Sequence, residues 1–280
     1  MNEVNKIHAS SHAFLSSIAD ENARLFRAGA YTSGGRMHHF SPHIRDIMVF
    51  PKSRRVMLTS WGASQRTRKK AHISVVAGDT SEYAGDAVLN FASAITPGGG
   101  YLHGSRAQEE CLCRETTLYA SLTSPDAVQM YKENHEEQSL LYTHTFLVSP
   151  HVEIFRTPME GGYALLSPDR VRTTAVLTVP APNLKFLPTG FPRSKVAQTM
   201  QDRIRHFLAG AARMGYRTLT LGAWGCGAFR HDAVDVAADF HHVLIDEHWQ
   251  SLFDSITFAI YPAGDTGQYN LDMFRQAFRR

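Results

Sequence analysis

From residue 72 onward, short runs rich in β-branched residues alternate with longer stretches that repeat an apolar residue every three or four positions. The period switches between strand and helix, which restricts the chain to a layered α/β architecture with a mixed sheet between helices. Strands are expected at residues 72–76, 87–91, 145–148, 173–179, 218–221 and 256–261, and helices at 108–122, 196–214 and 233–248. Ahead of them, Leu15, Ile18, Ala19, Leu25 and Phe26 mark a helix over 14–28, with Gly29 as its stop. Residues 31–51 mix Gly, Ser, Pro and His without a period and read as an ordered extension wrapping the main domain. The expected division is an N-terminal helical extension over 1–70 packed on a catalytic core over 71–280, as one structural unit.

Composition removes several classes. Hydrophobic residues at 43% and charged residues at 20% exclude a disordered or fibrous chain. The net charge of +3 is dispersed apart from residues 66–70 and the Arg279, Arg280 end, which favours an anionic ligand without demanding a nucleic-acid partner. Three cysteines, Cys111, Cys113 and Cys226, give no disulfide framework and no zinc signature, so no metal and no cofactor are expected and a reducing, cytoplasmic compartment fits. No export signal is read, and no segment approaches the ~20 apolar residues that span a bilayer, so no membrane partner is expected. The expected state is a monomer.

Three polar or Gly-rich loops fall at strand ends, where open α/β sheets leave a crevice for ligands: residues 90–110, 180–183 and 222–229. The first contains Pro97, Gly98, Gly99 and Gly100, and its Gln108, Glu109 and Glu110 open a helix. Glycines permit positive φ and close backbone approach, and a helix N-terminus offers free N–H groups, which suits a diphosphate or a sugar. The residues alone equally allow a turn whose two glutamates stabilise the helix dipole. The third loop, Gly222, Ala223, Trp224, Gly225, Cys226, Gly227, Ala228 and Phe229, comes directly after a strand. It can cradle phosphate and offer Phe229 for stacking, or it can be a structural turn. It lacks the Lys and Ser/Thr of a P-loop and the spacing of a dinucleotide fingerprint, which disfavours a kinase or a dehydrogenase.

Val88-Leu89-Asn90-Phe91-Ala92-Ser93, the triple glycine and Gln108-Glu109-Glu110 together resemble the signature of microbial poly(ADP-ribose) glycohydrolases. The resemblance extends to residues 22–31, to Pro180-Ala181-Pro182-Asn183 and to the 222–229 loop, nearly the whole chain. It implies a macrodomain-like core, a mixed β-sheet sandwiched between helices. Its implied substrate is poly(ADP-ribose) or ADP-ribosylated protein, with ADP-ribose as product. By the same resemblance Asn90 holds the ribose beside the scissile bond, with Gly98, Gly99, Gly100 and Gln108 around the substrate. Gly225, Cys226, Gly227, Ala228 and Phe229 cradle the diphosphate and stack near the adenosine. Ala228 stands where the family places a bulkier aliphatic residue, and Asp79 corresponds loosely to an acidic adenine contact.

Cleavage of a ribose–ribose O-glycosidic bond passes through an oxocarbenium-like state, so the leaving oxygen needs a proton and the sugar carbon needs nearby negative charge. Neighbouring helix residues point about 100° apart, so Glu109 and Glu110 divide the work. Following the family, Glu110 is the general acid that later activates water, and Glu109 fixes a ribose hydroxyl. Their mutual repulsion raises one pKa while the helix N-terminus opposes the rise. Of the histidines, only His103 is a candidate for substrate contact. A mono-ADP-ribosyl hydrolase and a non-catalytic ADP-ribose reader are the alternative functions.

Overall fold

The computed structural model describes residues 11–137 and 139–279. Residues 1–10 of the expected extension and Arg280 of the terminal arginine pair lie outside the described residues.

A seven-stranded sheet forms the centre. Its strands are β3 (Met48–Phe50), β4 (His72–Ala77), β5 (Ala87–Phe91), β6 (Phe146–Ile154), β7 (Arg172–Val179), β8 (Thr218–Leu221) and β9 (Ser255–Ile260), in the order β3-β6-β7-β5-β8-β9-β4. β7, β5, β8, β9 and β4 run parallel, and β6 and β3 pair antiparallel at one edge. Alternate residues of the central strands enter opposite cores, as strand pleating requires. Leu89 and Leu177 pack with Phe207, Trp224, Phe240 and Phe258 on one side. Val88 and Val176 pack with Leu112, Leu118 and Met130 on the other. The sheet is therefore sandwiched between helices, as the sequence pattern requires.

The helices are α1 (His12–Ala28), α2 (Arg55–Gln65), α3 (Gln108–Glu115), α4 (Leu118–Leu122), α5 (Val128–Glu137), α6 (Arg193–Arg213), α7 (Ala233–His241) and α8 (Gly264–Ala277). In α1 the Ser11 hydroxyl accepts from the Phe14 N–H, and Gly29 ends the helix at φ 71°, the left-handed conformation that glycine adopts without steric cost.

The helix expected over 108–122 is two. The chain breaks at Thr116 and Thr117 because this stretch pairs with the end of β6: Thr116 bridges Ile154, and the Thr117 N–H donates to the Glu153 carbonyl at 3.0 Å. Beyond His241, α7 continues as a π turn over His242–Asp246 and stops short of 248. β6 runs past its expected end because a register shift between Ser149 and Val152 absorbs Pro150. Within the polar 31–51 stretch lie the hairpin β1 (Ala30–Ser33) and β2 (Arg36–His39) and the edge strand β3, which joins the main sheet.

Besides its apolar contacts, α1 is tied to the core by the buried amide of Asn22. Asn22 donates to the Tyr101 hydroxyl at 3.1 Å and the Arg114 carbonyl at 3.0 Å, and its Oδ1 accepts from Arg156 Nε at 2.8 Å. These bonds satisfy the buried amide and fix the loop before α3 to the end of α3. Among the described residues no helix is long and apolar enough to cross a membrane.

Candidate active site

A cleft of about 540 Å³ opens at the C-terminal ends of the parallel strands, within the range of small-molecule sites. Its walls come from the loops after β4, β5, β7, β8 and β9, from the segment after β6, from the first turn of α3 and from α8.

The loop after β5 carries the two glutamates. Neither carboxylate caps its own helix. Glu109, only 2% exposed, accepts from Asn90 Nδ2 at 3.1 Å through Oε1 and from the Ser93 N–H at 2.7 Å through Oε2. Burial pushes its carboxyl up to about 8, against the two donors, with the charge of Glu110 as a smaller upward contribution. Glu110 uses Oε1 to accept from the Gly100 N–H at 2.8 Å, while Oε2 is buried without a hydrogen-bond partner. Both side chains line the cleft.

This packing requires glycine at residue 99. The backbone there has φ 57°, and a Cβ would stand 2.5 Å from Glu110 Oε1 and 3.1 Å from Glu109 Oε2. Gly98, at φ 69°, faces the Tyr119 ring and lies outside the cleft lining, as does Gly100.

Asn90 is fully buried and does not line the cleft. It stands behind Glu109, donating to it and to Thr178 Oγ1 at 3.3 Å, and its Oδ1 has no partner. Gln108 lines the cleft with both of its amide hydrogens engaged, to Thr80 Oγ1 and the Leu89 carbonyl at 3.0 Å each. Its oxygen accepts from the Phe91 N–H at 2.9 Å. It clasps the start of α3 to the end of β5. His103 is exposed and lies outside the cleft lining.

In the loop after β8, Gly225, Gly227, Ala228 and Phe229 line the cleft, whereas Cys226 turns into the core and burial pushes its thiol up to about 12. Trp224 Nε1 donates to the Val179 carbonyl at 2.9 Å and His231 Nε2 to the Pro182 carbonyl at 2.7 Å, pinning this loop to the one after β7. Buried Arg203 of α6 holds the β7 loop from beneath by donating to the Pro180 carbonyl at 2.6 Å.

The wall that meets α3 from the loop after β4 is acidic. Asp79, Glu160, Tyr261 and Asn270 line it. Burial raises the Asp79 carboxyl against the Ser81 N–H that it accepts from, and beneath it Glu115 is fully buried, with both oxygens lacking a donor. Burial, then the neighbouring Asp79, pushes Glu115 well up, so the pair favours holding a proton. Cys111, Glu160, Tyr261 and Asn270 were not singled out from the sequence. Tyr261 comes directly after the last strand, where the strand-end rule points to it, whereas Asn270 lies within α8 and carries no such signal. Glu160 sits in an irregular stretch with no such signal. Among the described residues, no three His, Cys, Asp or Glu side chains converge to hold a metal.

The model of the microbial-type PARG catalytic domain matches residues 19–157. The poly(ADP-ribose) glycohydrolase of Thermomonospora curvata is 30% identical, with a TM-score of 0.86 over 94% of this chain and 99% of its own. Its complex with the inhibitor ADP-HPD gives 31% identity and a TM-score of 0.83 over the same shares. The Deinococcus radiodurans enzyme in complex with ADP-ribose is 35% identical, with a TM-score of 0.75 over 84% of this chain and 95% of its own. No curated protein sequence matches. With near-complete coverage of a homologue at this identity, the loops that meet in the cleft are those of one family, and the chain belongs to the microbial-type poly(ADP-ribose) glycohydrolases.

Proposed function

We propose that this chain hydrolyses the ribose–ribose O-glycosidic bonds of poly(ADP-ribose) and releases ADP-ribose, with Glu110 as general acid and base. One observation carries the assignment of Glu110. Its carboxyl is pinned through one oxygen to the Gly100 N–H, while the other oxygen is buried, unpartnered and part of a cleft-lining side chain. A buried oxygen without a partner costs stability, so its retention points to a group supplied by substrate.

In this reading Glu110 Oε2 carries the proton to the leaving ribose oxygen as the C–O bond breaks, and the sugar carbon becomes oxocarbenium-like. The resulting carboxylate takes a proton from the water that attacks that carbon, which restores the acid. Glu109, held by Asn90 and Ser93, orients a ribose hydroxyl. Gly225, Gly227, Ala228 and Phe229 receive the diphosphate and its neighbouring sugar, and the diphosphate charge favours the cationic carbon. Gln108 and Asn90 act by positioning, Gly98 and Gly100 by shaping the loop.

Within the extension, residues 11–70 serve in the same reading to hold the catalytic loop, through Asn22. The free cysteines suit a reducing cytoplasm, where the chain works as a monomer.

Glu110→Gln tests the assignment, because the amide keeps an acceptor for Gly100 and loses the proton. Polymer hydrolysis should fall by about 10²–10⁴ with ADP-ribose affinity retained. Unimpaired hydrolysis refutes the role of Glu110. Release from chains compared with release from singly modified protein identifies the leaving group.

A further inference from the structure

The segment that leaves the cleft after β7 has a composition the catalytic reading does not use. Residues 170–201 contain no Asp or Glu. Within them Lys185, Arg193 and Lys195 are exposed. The next acid along the chain, Asp202, is engaged by Arg55 and Arg205, and none of the three cations forms an ion pair among the described residues. Phe186 is 63% exposed, a large aromatic surface to leave in water. The cations sit over rings: Lys185 Nζ is 5.1 Å from the Phe186 ring centroid and Lys195 Nζ 5.9 Å from that of Phe191.

This surface is continuous with the cleft at the loop after β8. The Leu184 N–H donates to the Phe229 carbonyl at 3.1 Å, and Phe229 lines the cleft. Across the sheet the cleft is walled by the loops after β4, β9, β8 and β5 and reaches Ala181 in the loop after β7, the next strand outward from β5, from which the segment continues. A unit with one end at Asp79 and Tyr261 and its scissile bond at Glu110 directs the remaining polymer, on the far side of that bond, toward the exit of β7.

We propose that the segment from Leu184 to Lys195 is a second binding surface for the ADP-ribose chain beyond the scissile bond, which rests on the polymer being the substrate. Each unit of that chain carries two phosphate charges and one adenine. Lys185, Arg193 and Lys195 meet the phosphates, and the open face of Phe186 stacks on the base, the pairing of cations with aromatic platforms by which proteins hold single-stranded polyanions. The cleft binds the unit that is released and this surface holds the chain.

The experiment compares Glu110→Gln protein with the same protein carrying Lys185→Gln, Phe186→Ser, Arg193→Gln and Lys195→Gln. Labelled long ADP-ribose polymer, ADP-ribose and poly(adenylate) are titrated at several salt concentrations. The four substitutions should weaken polymer binding about tenfold or more and lower the log–log salt slope by about 2, three charges at about 0.7 each. ADP-ribose affinity should stay within about twofold, which also reports an intact fold. Unchanged polymer affinity overturns the proposal. So does an equal fall for polymer and ADP-ribose, since the surface is then not separate from the cleft. Loss of poly(adenylate) binding with polymer binding intact overturns it in favour of a nucleic-acid surface. Failure of the unsubstituted protein to release ADP-ribose from polymer sinks the catalytic reading instead, and the binding comparison is read independently of turnover.

Discussion

Gly99 and Gly227, one in each glycine loop of the cleft, serve opposite ends. In the loop after β5, glycine makes room for the protein's own acids: Gly99 lies where any side chain would collide with Glu110 Oε1, and its φ is positive. In the loop after β8, Gly227 has nothing within 4 Å of where a Cβ would stand and does not need positive φ. Its backbone is bare toward the cleft. Gly222 and Gly225 of that loop are crowded as Gly99 is, with a Cβ 2.7 Å from the Ala259 carbonyl oxygen and 2.8 Å from the His231 ring, so the contrast lies between Gly99, which is closed around the two acids, and Gly227, which is open to the cleft. A glycine that is required by packing and a glycine that is required by a ligand therefore fail differently when replaced.

The largest effect is expected at Gly99. Gly99→Ala places a methyl 2.5 Å from Glu110 Oε1 and 3.1 Å from Glu109 Oε2 on a backbone that disfavours any Cβ. Displacing a catalytic group by about 1 Å can cost about 10² in rate. The variant should lose at least that in kcat, and about 1–2 kcal/mol of stability from the left-handed backbone. Steady-state kinetics beside denaturant melts decides the matter. An unchanged kcat would break the idea that this loop is built around the acids.

The enclosure of Glu109 by the same loop gives a pH signature. Its folded pKa of about 8 lies above the unfolded value of about 4.3. Between those values the folded chain holds a proton that the unfolded chain has released. Stability must fall as pH rises through that window and level off above about 8, at up to about 1.4 kcal/mol per pH unit. Glu109→Gln removes this contribution, so its unfolding free energy should decline less from about pH 6 to about pH 8 than that of the unsubstituted protein. Equal slopes would show that Glu109 is charged in the folded state.

What the sequence reveals about this site depends on its local contiguity. Asn90, the triple glycine and Gln108-Glu109-Glu110 lie within 21 residues of chain, and the strand and helix around them have clear periods, so both the loop and its place in the fold are legible. The sequence does not distinguish Asn90 from a substrate ligand, because its burial behind Glu109 depends on Thr178 of a different strand. The break at Thr116 is invisible for the same reason: the apolar spacing continues, and the interruption comes from pairing with β6. Three residues of β3 in a polar stretch carry too little pattern to mark a strand. Buried Arg203 and His231 fasten the loops after β7 and β8 from far along the chain, and nothing in their local sequence separates them from surface residues.

A smaller and oppositely partitioned effect belongs to Gly227. Because its Cβ position is open, Gly227→Ala should leave unfolding free energy within about 0.5 kcal/mol of the parent. The methyl intrudes where phosphate would approach the backbone, so ADP-ribose affinity should fall several-fold. Calorimetric titration beside thermal melts separates the two quantities. A variant that loses stability while binding normally would erase the contrast with Gly99.

Ala228 gives the mildest and most discriminating case, because the family resemblance leads one to expect a bulkier aliphatic residue at this position. It is exposed and lines the cleft, and its backbone does not adopt positive φ, so a β-branched side chain is sterically admissible. Ala228→Val adds two methyl groups, each worth up to about 0.8 kcal/mol when buried. Against a bound ligand they are only partly covered, so ADP-ribose should bind about three- to tenfold more tightly, with KM moving more than kcat. That outcome would show the open loop meeting its ligand through apolar contact as well as through bare backbone. Equal affinity would leave the backbone as the loop's sole contribution, and weaker affinity would mean that the small residue at 228 makes room for the ligand in the way that Gly99 makes room for Glu110.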